Sequence, residues 1–89
     1  MGIGTGSTRD HATHILRNTG LDAFIPVLVS ADDVTNHKPH PDTFLRVAEQ
    51  LGANPANCLV FEDTRIGLEA GKAAGMTTLL VDQGALYPR

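Results

Sequence analysis

The sequence predicts an α/β fold in which a parallel sheet lies between layers of helices. Short apolar runs alternate with segments whose apolar residues have helical spacing, in the order β-α-β, a polar loop, then α-β-α-β. Gly and Pro residues lie between these segments, where they end helices and limit the length of strands. Alternation of this kind indicates parallel strands joined by right-handed crossovers. With 89 residues, the chain is expected to form one small domain over 1–89.

The first half of the chain predicts two strands and one helix. The opening MGIGTGS is a short strand of small residues that ends in a Gly/Ser turn. Residues 8–19 have helical spacing, with Ser7 as a candidate N-cap and Gly20 as a stop. The run FIPVLVS predicts the second strand, and Pro26 favours its beginning or a sheet edge. Residues 31–41 are polar and predict a loop.

A second helix is predicted over residues 42–51, with Gly52 just beyond it. Asn54 is expected to cap the turn that follows at Pro55. The predicted apolar stripe of this helix consists of Phe44, Leu45, Ala48 and Leu51.

A strand, a helix and a last strand fill the rest of the chain. The apolar run from Cys58 to Phe61 is too short for a helix and predicts a strand buried on both faces. A helix is expected over 64–74, ended by Gly75, and a strand over 77–82. The helix has a face of small residues that allows close packing on a sheet, including Gly67, Ala70, Gly71 and Ala74.

Composition and charge restrict the class of protein. The net charge of −3 gives no basic face for nucleic acid or anionic lipid, so neither partner is expected. The single cysteine, Cys58, excludes an intramolecular disulfide and predicts a buried thiol in a reducing, cytoplasmic setting. No apolar run approaches the roughly 18–20 residues that span a bilayer, and the start lacks a secretory pattern.

Two adjacent carboxylates, Glu62 and Asp63, follow the third strand and precede a helix. Ligands of parallel sheets bind outside the carboxyl ends of the strands, and carboxylate oxygens suit Mg²⁺. The alternative is that Asp63 merely caps the helix that begins near Thr64. Because a cap needs only one acid and neighbouring strand side chains point to opposite faces, the pair favours a metal or phosphate site.

The same sheet edge is expected to carry a hydroxyl turn and a lysine. Thr5, Gly6 and Ser7 end the first strand, where a hydroxyl and backbone N–H groups suit phosphate oxygens. A plain tight turn is the alternative. Lys38 precedes Pro39, which restricts the Lys38 backbone and fixes the direction of its ammonium, the alternative being a solvated charge. The four histidines show no metal-binding spacing and are expected at the surface.

In this order, GTGSTR, NHKPHPDTFLRVAEQLG and CLVFEDTRIGLEAGKAAGM resemble motifs two, three and four of the haloacid dehalogenase-like phosphotransferase superfamily. The branch they resemble contains β-phosphoglucomutase and small sugar-phosphate phosphatases, and the resemblance spans nearly the whole chain. It implies a three-layer, Rossmann-like core and Mg²⁺-dependent phosphoryl transfer on a small phosphorylated metabolite. A receiver domain has its acids and lysine in the reverse order, and a true dehalogenase does not need Mg²⁺-binding acids after a buried strand.

The resemblance also implies a role for each matching residue. Thr5 and Lys38 would hold the transferring phosphoryl group and offset its charge. Glu62 and Asp63 would help to hold Mg²⁺, Asp63 most directly. The turn residues Gly6, Ser7 and Arg9 match positions that can contact the substrate phosphate.

Two parts of such an enzyme have no counterpart in this sequence. The family's nucleophilic aspartate and its acid/base partner belong to a DxDx[TV] motif, and DHAT at residues 10–13 lies on a helix after the hydroxyl motif, in the wrong order. The cap domain would also precede Met1. We therefore expect a carboxyl-terminal part with absent or trace turnover. A noncatalytic module that binds phosphate or Mg²⁺ weakly, or that pairs with a missing half, is the alternative.

The missing central strand predicts a gap between the strand ending at Thr5 and the strand ending at Glu62. Unpaired backbone groups and an apolar strand edge are costly in a folded protein. We expect self-association through the exposed edge, or marginal folding, rather than direct pairing of the two strands. Direct pairing would move Thr5 and Lys38 relative to Asp63.

Overall fold

The computed structural model describes residues 1–82 and the backbone of 85–88. The helices and strands confirm the predicted order and add a fifth strand that the sequence did not predict. They are β1 (Gly2–Gly4), α1 (Arg9–Thr19), β2 (Val27–Val29), α2 (Asp42–Leu51), β3 (Leu59–Glu62), α3 (Arg65–Ala73), β4 (Thr77–Asp82) and β5 (Ala85–Pro88). Single 3₁₀ turns lie at Leu21–Ala23, Ala31–Asp33 and Pro55–Asn57.

The strands form two sheets. β1 pairs with β2 in parallel, with Gly4 opposite Val29. β3 pairs with β4 in parallel, with Glu62 opposite Leu80, and β5 adds an antiparallel edge to β4. Within residues 1–82 and 85–88, β1 and β3 do not pair with each other. The α/β class and the parallel pairing are confirmed, and the gap expected between β1 and β3 is present.

The helix ends follow short-range capping rules, with one correction. Thr8, not Ser7, caps α1 by accepting a hydrogen bond from His11 N. Ser7 is not the cap because α1 begins at Arg9, one residue later than predicted, so Ser7 lies in the turn, where its backbone N–H donates to the hydroxyl of Thr5 at 3.1 Å. Gly20 ends α1 at φ 76°, a left-handed backbone that glycine adopts without steric cost. The Gly52 stop and the Asn54 cap are confirmed.

Helix α2 packs between the two sheets and supplies the core of both. Its Phe44 and Ala48 join the cluster around β3 and α3, whereas Val47 joins the cluster around β2. Leu45, predicted for the buried stripe, is 39% exposed. The stripe prediction was wrong there because contact with both sheets turns the buried face toward Val47. Close approach to β1 depends on glycine, since a Cβ at Gly4 would lie 2.8 Å from Thr43 Cγ2.

Strand β3 is buried on one face only, so the prediction of burial on both faces was wrong. Val60 packs with residues of α3, whereas Leu59 and Phe61 are 50% and 55% exposed. The alternation arises because α3 covers the Val60 side of the strand. Cys58 is only partly buried and precedes β3, with its Sγ 3.3 Å from the carbonyl oxygen of Asn54. None of the helices in the described part of the chain is long and apolar enough to cross a membrane.

Candidate phosphate and metal site

Lys38 connects the carboxyl ends of β1 and β3. Its Nζ donates to the carbonyl oxygen of Gly4 at 3.2 Å and to Oε2 of Glu62 at 2.8 Å. The ring of Phe44 lies 4.7 Å from the same ammonium, at a distance typical of a cation–π contact. The Lys38 and Glu62 side chains are each only 12% exposed. The structure therefore brings two of the predicted site residues together in a largely desolvated ion pair.

The loop before α2 delivers Lys38 to this position. The peptide bond between Lys38 and Pro39 is cis. The loop is closed by a hydrogen bond from His40 N to the carbonyl oxygen of His37, and by Asn36 Nδ2 at 3.2 Å from Asp42 Oδ2. The solvated-lysine alternative is wrong for Lys38, because its ammonium has three partners inside the fold.

The Glu62 carboxylate is held from several sides at the start of α3. Oε1 accepts the Asp63 backbone N–H and the Thr64 hydroxyl, each at 3.3 Å, while Oε2 accepts from Lys38. A carboxylate beside the N-terminus of a helix is also favoured by the helix dipole. Glu62 is therefore a fixed anion that positions the lysine.

Asp63 is exposed, and its carboxylate has no hydrogen-bond donor among the residues that the structure describes. The alternative that Asp63 caps α3 is wrong. Thr64 is the N-cap, with an extended backbone and a hydroxyl that accepts from Gly67 N at 3.1 Å. Asp63 thus has its carboxylate free at the carboxyl end of β3.

The turn after β1 is tight and stabilised by its own hydroxyl. Thr5 N donates to the carbonyl oxygen of Val29, and Thr5 Oγ1 accepts from Ser7 N. Gly6 is exposed, with open space where a Cβ would be. The plain-turn alternative describes this geometry, and the predicted phosphate contacts of Thr5, Gly6 and Ser7 stay predictions.

Arg9 is bound to the acidic turn Ala31–Asp33, a contact that the sequence did not predict. Its Nη2 donates to the carbonyl oxygen of Leu28 at 2.8 Å and pairs with Asp33, while its backbone N–H donates to Asp32. Asp33 also accepts from Ser30 N and Ser30 Oγ. The Ser30 N–H and then the Arg9 guanidinium lower the pKa of Asp33 to about 2. The sequence signal was SADD, a serine followed three residues later by an acid.

The side chains present supply only part of a Mg²⁺ site. Among the described residues, no three or more His, Cys, Asp or Glu side chains are arranged to hold a metal ion. Mg²⁺ prefers octahedral oxygen ligands and is commonly bound through one or two carboxylates plus waters and substrate phosphate. Asp63 fits as one such ligand because its carboxylate is free, whereas Glu62 is already paired with Lys38. The further oxygen ligands would come from outside this pair of residues.

An apolar groove, here called the inter-sheet groove, separates the two sheets. It is lined by Met1, by β1 and β3, by Phe44, Val47, Ala48 and Leu51 of α2, and by Cys58 and Met76. Its volume is about 440 Å³. The strand edges that face it, Gly2–Gly4 and Leu59–Glu62, are those not used in pairing with β2 and β4. The groove therefore lies where a strand between β1 and β3 would fit.

Comparison with known proteins identifies the family. A family model described as haloacid dehalogenase-like hydrolase matches residues 1–81, and the chain belongs to that family. The chain is 46% identical over 76 residues to a fructose-1-phosphate phosphatase of Escherichia coli, covering 85% of this chain and 40% of that protein. It is 37% identical over 76 residues to a phosphorylated carbohydrates phosphatase of Thermotoga maritima, covering 85% and 35% respectively.

Solved structures agree with this assignment. A haloacid dehalogenase-superfamily hydrolase from Geobacter sulfurreducens superposes with a TM-score of 0.79 at 31% identity, covering 86% of this chain and 36% of that one. A putative β-phosphoglucomutase from Thermotoga maritima gives a TM-score of 0.75 at 38% identity, covering 79% and 32%. The chain spans about two fifths or less of the length of the relatives described here.

Proposed function

We propose that this chain is part of a Mg²⁺-dependent phosphatase or phosphotransferase that acts on small sugar phosphates in the cytoplasm through an aspartyl-phosphate. The observation that carries the proposal is the Lys38 ammonium, held by Gly4 and Glu62 at the sheet edge where β1 and β3 end. A desolvated, fixed cation is suited to offset charge on a transferring phosphoryl group. The names of the two phosphatase relatives support the substrate class.

The site residues divide into those that bind the phosphate and those that hold the metal ion. Lys38 offsets the charge of the phosphoryl oxygens, and the hydroxyl of Thr5 donates to one of them. Gly6 and Ser7 contact the substrate phosphate around the turn, and Arg9, which is paired with Asp33, lies two residues beyond them. Asp63 would bind Mg²⁺ directly, and Glu62 would help to hold the ion while it positions Lys38. When bound, Mg²⁺ polarises a phosphoryl oxygen and offsets its charge.

A second candidate function is a noncatalytic module that is completed by association. The inter-sheet groove favours it, because two facing strand edges with unused backbone groups can accept an extended segment. The segment would come from a second copy or from a polypeptide that supplies the central strand. The residues that match the family motifs include no nucleophilic aspartate, so the chain alone is expected to show absent or trace turnover.

Metal binding tests the assignment of Asp63. Calorimetric titration of the chain with Mg²⁺ should give weak binding, because one or two protein carboxylates rarely hold this ion without further ligands. Asp63→Asn should abolish the signal, whereas Asp42→Asn, which removes a carboxylate at the start of α2, should not. Tight binding, or equal binding by wild type and Asp63→Asn, would contradict the assignment.

Activity tests the proposal for the whole enzyme. We expect the isolated chain to hydrolyse sugar phosphates and an aryl phosphate no faster than a mock preparation. Fusing the amino-terminal part of the Escherichia coli fructose-1-phosphate phosphatase in front of the chain should give Mg²⁺-dependent turnover, lost in Lys38→Met and in Asp63→Asn. A chimera that is folded by circular dichroism yet inactive would count against the proposal.

Sedimentation and amide exchange test the second candidate. We expect concentration-dependent association, or rapid exchange of the β1 and β3 amides in a marginally folded monomer. The same chimera, which fills the groove, should be monomeric and should slow exchange in both strands. A strictly monomeric chain with strong and uniform protection of β1 and β3 would show that the two strands pair directly.

A further inference from the structure

We infer that Gly67 is a positioning residue for the Lys38–Glu62 pair, because its bare backbone provides the space that the Glu62 carboxylate occupies. The feature lies in the first turns of α3, five residues after Glu62 in the sequence. The importance of this position for phosphoryl transfer rests on the proposed function. Its steric role does not, since it follows from contacts inside the chain.

The three atoms nearest to a Cβ at Gly67 all belong to one side chain, that of Glu62. A Cβ built there would overlap Cδ, Cγ and Oε2 of Glu62, and these three atoms are its nearest neighbours. Gly67 is buried and helical, and it is not among the glycines with positive φ. The need for glycine is therefore a matter of space and not of backbone conformation.

Glu62 cannot move aside without breaking its other contacts. Oε2 bonds Lys38 at 2.8 Å, and Oε1 accepts from Asp63 N and from the Thr64 hydroxyl. Thr64 in turn accepts from Gly67 N, so the helix cap and the carboxylate are joined through the same few atoms. A methyl group at position 67 would push the carboxylate away from Lys38 and leave the ammonium with Gly4 and Phe44 alone.

Gly71 provides a matched control on the same helix. A Cβ there would meet Thr78 Cγ2 at 2.7 Å and Val60 at 3.4 Å, which are core atoms with no part in the ion pair. Gly71→Ala and Gly67→Ala therefore add the same methyl group to the same helix, each against a close neighbour. Only Gly67→Ala acts on Glu62.

The two lysines of the chain allow a direct measurement. Lys38 is partly buried and Lys72 is exposed, so Lys72 serves as the internal reference for amine labelling with acetic anhydride, read by mass spectrometry. We expect Gly67→Ala to raise the Lys38/Lys72 labelling ratio at least threefold and Gly71→Ala to leave it unchanged. Glu62→Ala alone should raise it at least as much.

The double variant Glu62→Ala/Gly67→Ala distinguishes displacement of the Glu62 carboxylate from a general loss of packing around Lys38. In the Glu62→Ala background there is no carboxylate to displace, so adding Gly67→Ala should produce no further rise in labelling. If Gly67→Ala fails to fold, the double variant should restore folding, whereas its failure to do so would overturn the inference. Wild-type labelling in Gly67→Ala, or an equal rise in Gly71→Ala, would also overturn it. The readout needs neither phosphate nor turnover, so the proposed function can fail independently.

Discussion

Two ion pairs each join a basic and an acidic side chain at the same separation along the chain, and they differ in their surroundings. Lys38 pairs with Glu62 and Arg9 pairs with Asp33, each across 24 residues. The side chains of the first pair are both 12% exposed, whereas those of the second are 47% and 27% exposed. The first pair joins the ends of two sheets, and the second joins α1 to the turn after β2. Burial, not charge, distinguishes the Lys38–Glu62 pair of the candidate site from the Arg9–Asp33 pair at the surface.

The difference has an energetic basis. Surface pairs gain little because water screens them, whereas removing one partner of a buried pair leaves a charge without compensation. Both cations also donate to a backbone carbonyl, of Gly4 and of Leu28, but only Lys38 has an aromatic ring beside its charge, that of Phe44. An ammonium held in this way has a fixed position in a site where water competes poorly, and electrostatic stabilisation of a phosphoryl group requires such a position.

The largest effect is expected from Glu62→Ala. Removing the carboxylate leaves the partly buried Lys38 ammonium without its counter-ion. We therefore expect a loss of about 3 kcal/mol in the free energy of unfolding. Urea titration followed by circular dichroism measures it. Adding Lys38→Met to Glu62→Ala should recover part of the loss, because it removes the unpaired charge. A loss no larger than that of Arg9→Ala would remove the energetic distinction between the two pairs.

Phe44→Leu should have the next largest effect. The substitution removes the aromatic face near Lys38 and some core packing, and we expect a loss of about 1–2 kcal/mol. Repeating it in Lys38→Met isolates the cation–π part, because only packing is then lost. An equal loss in both backgrounds would assign the whole effect to the core.

The two pairs also differ in how far the sequence predicted them. Glu62 came from a motif at an expected strand end and Lys38 from the loop after the second strand, and parallel topology places such ends and loops at one edge. Their direct contact was not predicted, because it depends on the side-chain path of Lys38 over Phe44 and on the space at Gly67. Arg9 with Asp33 was missed because α1 and a 3₁₀ turn meet only through the packing of β1 on β2.

The fold shows the same division between local and long-range information. The bounds 42–51 of α2 and the stops at Gly20 and Gly52 were predicted from neighbouring residues, and all are confirmed. The exposure of Phe61 and the antiparallel pairing of β5 were not predicted. Both depend on which elements lie alongside a strand, and a short apolar run does not contain that information.

A smaller effect is expected from Arg9→Ala. The pair is exposed and screened, so we expect a loss of about 0.5–1 kcal/mol that shrinks further at high salt. The more exposed Arg65–Glu69 pair, with N and O 3.3 Å apart on α3, is the control. Arg65→Ala should cost less than about 0.5 kcal/mol. A salt-independent loss at Arg9 would mean that its bond to the Leu28 carbonyl dominates.

The smallest effect should appear only as a dependence on pH. The pKa of Asp33 is lowered to about 2 from an ordinary value near 3.8, first by the Ser30 N–H and then by Arg9. A carboxyl whose pKa is depressed in the folded state stabilises the fold above its unfolded pKa and loses that contribution as pH falls through the folded pKa. The Asp33 contribution should therefore be intact at pH 5 and fade between about pH 4 and pH 2. Urea titrations of wild type and Asp33→Asn at several pH values across this range measure it. The difference in the free energy of unfolding between the two proteins should shrink as the pH falls. A difference that stays constant down to pH 2 would show that the charge of Asp33 does not stabilise the fold.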